Sequence, residues 1–61
     1  ISLPDYISIC RINHAKELLK DTGLTIQQIA DETGFLSSSV FIRTFKKIEG
    51  VTPGGYRKLN T

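Results

Sequence analysis

A chain of 61 residues has room for one small domain, because a chain of this size buries only about 60% of the surface that its unfolded form exposes. A large catalytic cleft is therefore not expected. One cysteine and one histidine, Cys10 and His14, cannot form an internal disulfide or complete a four-ligand zinc site, so we expect no metal and no other cofactor. The net charge of +2 permits an anionic partner such as nucleic acid but does not require one.

The apolar residues are scattered among polar ones along the whole chain. No apolar run approaches the roughly 18 to 20 residues of a membrane span, and no basic segment followed by an apolar one marks a leader peptide. We therefore expect a cytoplasmic protein with no membrane partner. The sequence contains no methionine and begins at Ile1, so we also expect it to be a piece of a longer protein.

The first predicted helix covers residues 3–21. Pro4 suits its first position, and Gly23 suits a stop just past its end. The apolar residues recur at spacings typical of one helical face. They are Ile7, Ile12, Ala15, Leu18 and Leu19.

Near its start, this helix is also apolar on the other side. The residues there are Tyr6, Ile9 and Cys10. A helix that is apolar almost all round is usually packed on two sides, which would mean that a neighbouring domain is missing here. A broad core stripe would give the same pattern, and the sequence leaves both interpretations open.

The second predicted helix covers residues 25–33 and has clear start and stop signals. Thr25 is a typical N-cap, and Gln28 three positions later completes a capping box. Gly34 follows at the place where a left-handed residue commonly ends a helix. Ala30 is small enough to let the next helix approach closely.

The third predicted helix covers residues 38–49. Either Ser37 or Ser38 caps its start, and Gly50 ends it. Its apolar positions recur at i, i+4 and i+7, as expected for one buried face. They are Phe41, Phe45 and Ile48.

The last predicted helix covers residues 53–59, with Thr52 as its N-cap. The tandem glycines Gly54 and Gly55 make this helix weak. We expect Tyr56 to lie in the core with the phenylalanines. Because no segment has the pattern of a strand, the expected fold class is all-α: a small homeodomain-like helix-turn-helix bundle of four helices, with a long first helix and a short last one.

The charges of the third helix indicate what such a bundle could bind. With Phe41 pointing inward, the opposite face carries three cations and no acid. It comprises Ser39, Ile42, Arg43 and Lys46, with Lys47 at its flank. A helix of this kind fits the major groove, where arginine can donate two hydrogen bonds to guanine and an apolar group can contact a thymine methyl. The lysines, and the free N–H groups at the start of the Thr25 helix, would contact phosphates.

Each of these residues also has a purely structural interpretation. Lys46 and Lys47 could form only a solvated face, and Arg43 could form a salt bridge. Ile42 could lie at the rim of the core, and Ser39 could be a turn residue.

Three segments, IADETGF, FIRTFKK and GVTPGGYRK, resemble in order and without a gap the second helix-turn-helix of the AraC/XylS-type bacterial transcription regulators. The preceding segment, YISICRINHAKELL, resembles the linker helix that joins the two helix-turn-helix halves of these regulators. The resemblance covers residues 6–58 and implies a DNA-binding regulator of transcription whose first half is absent. The implied partners are double-stranded DNA, that upstream half and RNA polymerase.

The resemblance also implies roles for individual residues. The DNA base-contacting residues would be Ser39, Ile42 and Arg43. The backbone-contacting residues would be Thr25, Ile26, Ser38, Lys46 and Lys47. The chain departs from the family pattern at Leu36, Val40 and Ile42, and the departure at Ile42 bears on which base is preferred.

Two other classes of function compete with DNA recognition. A helical protein-interaction module could use the same basic face to bind an acidic partner or the polymerase. An enzyme is not expected, because the chain lacks a convergent set of nucleophile, base and metal ligands.

Overall fold

The computed structural model describes residues 2–60, so that Ile1 and Thr61, the ends of the predicted domain, lie outside the described residues. Over this range the chain forms four helices and no strand. They are α1 (Leu3–Asp21), α2 (Ile26–Glu32), α3 (Ser38–Glu49) and α4 (Pro53–Leu59). The predicted all-α fold is confirmed. The helix α2 is shorter than the predicted range 25–33, because Thr25 and Thr33 are its caps.

The start of α1 lies one residue before Pro4. Leu3 is the first helical residue and Ser2 is the N-cap, with its hydroxyl accepting a hydrogen bond from the N–H of Asp5 at 3.3 Å. Pro4 therefore occupies the second position of the first turn, where its missing N–H costs no helical hydrogen bond.

The end of α1 is closed by two other residues rather than by the expected glycine. Thr22 donates its N–H to the carbonyl of Leu18 at 3.1 Å. Arg57 of α4 donates from Nε to the carbonyl of Leu19 at 3.1 Å and from Nη2 to that of Thr22 at 3.2 Å. These bonds satisfy carbonyls that a helix end leaves unpaired. Gly23 follows without a left-handed backbone, so Thr22 and Arg57 take its expected role.

The predicted capping box at the start of α2 is present. The N–H of Thr25 donates to Oε1 of Gln28 at 2.8 Å, and the N–H of Gln28 donates to Oγ1 of Thr25 at 3.1 Å. These two bonds satisfy two of the donors that the start of a helix leaves without a partner.

The turn after α2 has the hydrogen bonds of a Schellman motif. Gly34 is left-handed, with φ of 84°, as predicted. The N–H of Phe35 donates to the carbonyl of Ala30 at 3.0 Å, and that of Gly34 donates to Asp31 at 3.3 Å. This closure ends α2 and redirects the chain toward α3 within a few residues.

The limits of α3 and α4 follow similar rules. Ser37, not Ser38, caps α3, and its hydroxyl accepts from the N–H of Val40 at 3.2 Å. Left-handed Gly50 ends that helix as predicted. Thr52 caps α4.

The core lies where the four helices meet. Its buried apolar residues are Ile12, Ala15, Leu19, Ile29, Ala30, Phe41 and Phe45. A continuous series of ring contacts crosses this core. The rings in contact are Phe35 with Phe41, Phe41 with Phe45, and Phe45 with Tyr56, at centroid separations of 5.2, 5.9 and 5.5 Å. These contacts hold α3 by its inner face.

Some residues expected in the core lie at its edge. Phe35 and Tyr56 are half-buried and pack against the core from outside. Ile48 is exposed near the end of α3. Ile7 is exposed because it lies on the same side of α1 as the exposed Cys10, whereas Ile9, which was expected on that side, is half-buried. The periodicity therefore identified the buried face of α3 but assigned Ile7 and Ile9 to the wrong sides of α1.

The start of α1 is apolar and uncovered. Leu3 is 71% exposed and Tyr6 is 57% exposed, and Ile7 and Cys10 are exposed beside them. We call these four residues the α1 apolar patch. A broad core stripe is therefore the wrong explanation for Tyr6 and Cys10. No helix within residues 2–60 combines the length and the apolar character needed to cross a membrane.

Candidate nucleic-acid interface

The outer face of α3 carries the residues that the sequence singled out. Ser39, Ile42, Arg43 and Lys46 are spaced at i, i+3, i+4 and i+7, and all four are exposed. Lys47 beside them is exposed as well. We call these five residues the α3 outer face. It points outward because Phe41 and Phe45, on the opposite side of the helix, are fully buried.

The cations of this face are available to a partner. Arg43, Lys46 and Lys47 form no ion pair and no cation–π contact within residues 2–60. The one acid of α3, Glu49, is half-buried and pairs with Lys16 of α1 at 3.1 Å. The salt-bridge interpretation of Arg43 is therefore not supported. The face keeps a positive potential that no neighbouring carboxylate cancels by direct pairing.

Ile42 and Ser38 differ in their surroundings. Ile42 is 38% exposed and does not belong to the core cluster, so the rim-of-core interpretation explains it poorly. Ser38, the first residue of α3, is half-buried. It lies on the side of the helix nearer the core and is less exposed than Ser39.

The start of α2 is a second, separate group of predicted contacts. Thr25 is exposed, whereas the side chain of Ile26 is half-buried and packs against the core. The backbone N–H of Ile26 is therefore the group that would contact a phosphate. The capping box leaves the N–H groups of Ile26 and Gln27 without an intrahelical acceptor, as is normal for the first turn of a helix.

Two residues near the turn have surroundings that the sequence did not predict. The guanidinium of Arg11 lies 6.0 Å from the ring centroid of Phe35, and its Nε is 3.4 Å from the place that a Cβ on Gly34 would occupy. Leu36 is 97% exposed. The sequence pattern predicts the opposite for Leu36, because an apolar residue just before an N-cap often packs against the fourth helical residue, here Phe41. No sequence pattern pointed to the contact of Arg11 with a turn more than twenty residues away.

The chain is similar to known proteins in sequence and in structure. A family described as "Helix-turn-helix domain" matches residues 1–59. The chain is 47% identical over 60 residues to the melibiose operon regulatory protein of Escherichia coli (strain K12), and the match covers 98% of this chain and 20% of that protein. It is 43% identical over 58 residues to the HTH-type transcriptional regulator YtdP of Bacillus subtilis (strain 168), covering 95% of this chain and 8% of that protein.

One solved structure is similar over most of the chain. It is the C-terminal domain of the two-component response regulator yesN from Fusobacterium nucleatum. The match has a TM-score of 0.91 at 40% sequence identity and covers 93% of this chain and 55% of that chain. The chain thus spans a fifth or less of the two curated relatives and about half of the solved one.

Proposed function

The chain belongs to the AraC-type family of bacterial helix-turn-helix transcription regulators, and we propose that it binds double-stranded DNA sequence-specifically, with α3 in the major groove. The observation that carries this proposal is the α3 outer face, where three exposed and unpaired cations lie on one side of a helix whose other side is buried. An α-helix fits the width of the major groove, and a cationic face is attracted to the phosphates on either side of it.

Base recognition is assigned to the middle of this face. Arg43 can donate two hydrogen bonds to O6 and N7 of a guanine, a geometry that suits its planar guanidinium. Ile42 supplies an apolar contact for a thymine methyl, and the hydroxyl of Ser39 can donate to or accept from a base edge. The three residues lie within two turns of α3, so they would read neighbouring base pairs.

Phosphate contacts are assigned to the surroundings of that face. Viewed along the axis of α3, Lys46 and Lys47 lie on either side of Arg43, and both would contact the DNA backbone. The free N–H of Ile26 and the hydroxyl of Thr25, which accepts one bond in the cap and can still donate its own proton, would contact it from α2. Ser38 would contribute from the start of α3. Such contacts fix the orientation of the protein on the duplex without reading sequence.

Further partners belong to the whole regulator, of which this chain would be one part. We propose that the upstream helix-turn-helix half covers the α1 apolar patch, whose exposure is otherwise costly in water. One module of this size buries only about 600 to 1,000 Å² on DNA and binds weakly by itself. Full affinity in the bacterial cytoplasm would then need that half. RNA polymerase would be contacted by the assembled regulator.

A protein-interaction module is the alternative function, because an acidic partner would also suit the α3 outer face. Salt dependence separates the two functions. We expect binding of the chain to unrelated duplexes to weaken steeply as salt is raised, since counterions released from DNA drive the association. A protein adaptor would show no duplex binding at low salt or at high salt.

Two lysine variants extend the salt-dependence experiment so that it tests the α3 outer face in particular. Lys46→Ala should weaken binding to all sequences alike and reduce the slope of log K against log salt by about 0.9, because one phosphate is no longer neutralised. Lys16→Ala is the matched control, because its ammonium is already paired with Glu49 at 3.1 Å and lies off this face. If Lys16→Ala changed the slope as much as Lys46→Ala, the proposed docking face would be wrong.

A further inference from the structure

Leu36 occupies an unusual position for an apolar side chain. It is 97% exposed, the highest exposure among the large hydrophobic residues of the described chain. It immediately precedes Ser37, the N-cap of α3, where a leucine would normally pack against Phe41 as a hydrophobic staple. Phe41 is instead covered by other groups, including the ring of Phe35 at 5.2 Å. Leu36 therefore contributes nothing visible to the core and is presented to solvent.

Leu36 lies close to the α3 outer face. Leu36 lies three residues before Ser39, so their Cα atoms are at most about 11 Å apart. In helix-turn-helix proteins the N-terminal end of the recognition helix is the part that reaches the base edges. A side chain projecting from the residue before that end would meet the major groove beside the bases assigned to Ser39 and Arg43.

The chemistry of the groove leaves one partner for a leucine there. Its side chain has no donor or acceptor, so it cannot bind phosphate or the polar base edges. The C5 methyl of thymine is the apolar group that the major groove presents. We propose that Leu36 is a specificity-determining residue that contacts a thymine methyl at the edge of the site read by α3, an inference that rests on the proposed DNA-binding function.

Removal of single methyl groups from the duplex tests the contact. The preferred duplex is first selected from a randomised pool with the wild-type chain. Each thymine is then replaced in turn by deoxyuridine, which lacks only the C5 methyl, and affinity is measured for the wild type and for Leu36→Ser. At one thymine we expect the wild type to lose about three- to fivefold in affinity, the cost of exposing roughly one methyl group. On the thymine duplex, Leu36→Ser should bind more weakly than the wild type by the same factor. Replacing that thymine by deoxyuridine should not weaken the binding of Leu36→Ser further.

Matched variants keep the result interpretable. Leu59→Ser changes another exposed leucine, 76% exposed at the end of α4, and should respond to deoxyuridine as the wild type does. Because Leu36 is almost fully exposed, Leu36→Ser should also unfold at the wild-type temperature. The proposal is overturned if no thymine is selected, or if Leu36→Ser remains as sensitive to every methyl as the wild type. If the Leu36 contact fails this test but Arg43→Ala still weakens binding, the proposed DNA-binding function is retained. If the wild-type chain binds no duplex at all, both the Leu36 contact and the DNA-binding function are overturned.

Discussion

Gly34 holds the backbone of the turn between α2 and α3 at φ of 84°, a conformation that costs a residue with a Cβ about 1 to 2 kcal/mol. Gly34→Ala should therefore lower the free energy of unfolding by about that amount. An added Cβ would lie 3.4 Å from Nε of Arg11, a flexible side chain that can move, so crowding should add little. Urea unfolding followed by circular dichroism would measure the change.

Two other glycines separate the backbone effect from crowding. Gly50 has the same φ of 84° with no atom within 4 Å of an added Cβ, so Gly50→Ala should cost about as much as Gly34→Ala. Gly23 is not left-handed and has the same open space, so Gly23→Ala should change stability by less than about 0.5 kcal/mol. Equal losses at Gly23 and Gly34 would contradict the backbone explanation.

Arg43 is the residue on which base selectivity should depend most. Arg43→Ala should cost about 1 to 3 kcal/mol in binding to the selected duplex and relax the preference at one base pair. Arg43→Lys keeps the charge but loses the planar fork, so it should retain non-specific binding and still lose that preference. Competition titrations with duplexes changed at single base pairs measure both effects. A lysine variant with unaltered preference would mean that Arg43 contacts phosphate instead.

At the scale of the helix, α4 is the element with the weakest intrinsic propensity, because two of its first three residues are glycines. Gly54→Ala should stabilise the chain by about 0.5 to 1 kcal/mol, since an added Cβ there meets no atom within 4 Å. Gly55→Ala should gain less or lose stability, because its Cβ would lie 3.1 Å from Oγ1 of Thr52, the hydroxyl that caps this helix. Thermal unfolding of the two variants provides the comparison, and a larger gain at Gly55 would contradict it.

The ends of the helices could be predicted where the signals are local. Thr25 with Gln28, and the left-handed Gly34 and Gly50, each form contacts within a few residues along the chain, so the sequence was sufficient. The end of α1 was not predictable in the same way. Besides the local bond from Thr22 to Leu18, it depends on Arg57, which reaches the carbonyl of Leu19 across 38 positions of the sequence.

The candidate site was predictable for a related reason. The α3 outer face follows from one helical period and the position of Phe41, so all five of its residues are exposed as expected. Contacts that depend on the packing of separate elements were missed. The position of Arg11 over Phe35 and the uncovered state of Leu36 both depend on how the turn is folded against α1 and α3. The choice of Ser37 over Ser38 as the cap was also beyond a local pattern, since either serine could fill the role.

At the scale of the whole molecule, folding and DNA binding should be strongly linked. A chain of 61 residues has a small core and a correspondingly small free energy of unfolding, and the start of α1 contributes little to that core. The α3 outer face is held in place by the buried rings behind it and by the ion pair of Glu49 with Lys16. A ligand that binds this face binds the folded chain alone, and so stabilises it by mass action.

The selected duplex should therefore raise the unfolding temperature of the chain. At a free duplex concentration one hundred times the dissociation constant, the stabilisation is about 2.7 kcal/mol, or about 10 °C or more for a domain of this size. Arg43→Ala, which should unfold at the wild-type temperature without DNA because its side chain is exposed and unpaired, should gain less at the same duplex concentration. Differential scanning calorimetry with selected and scrambled duplexes measures both gains. If the selected duplex left the unfolding temperature unchanged, DNA would bind the folded and unfolded chains equally well, and the proposed link between folding and binding would be wrong.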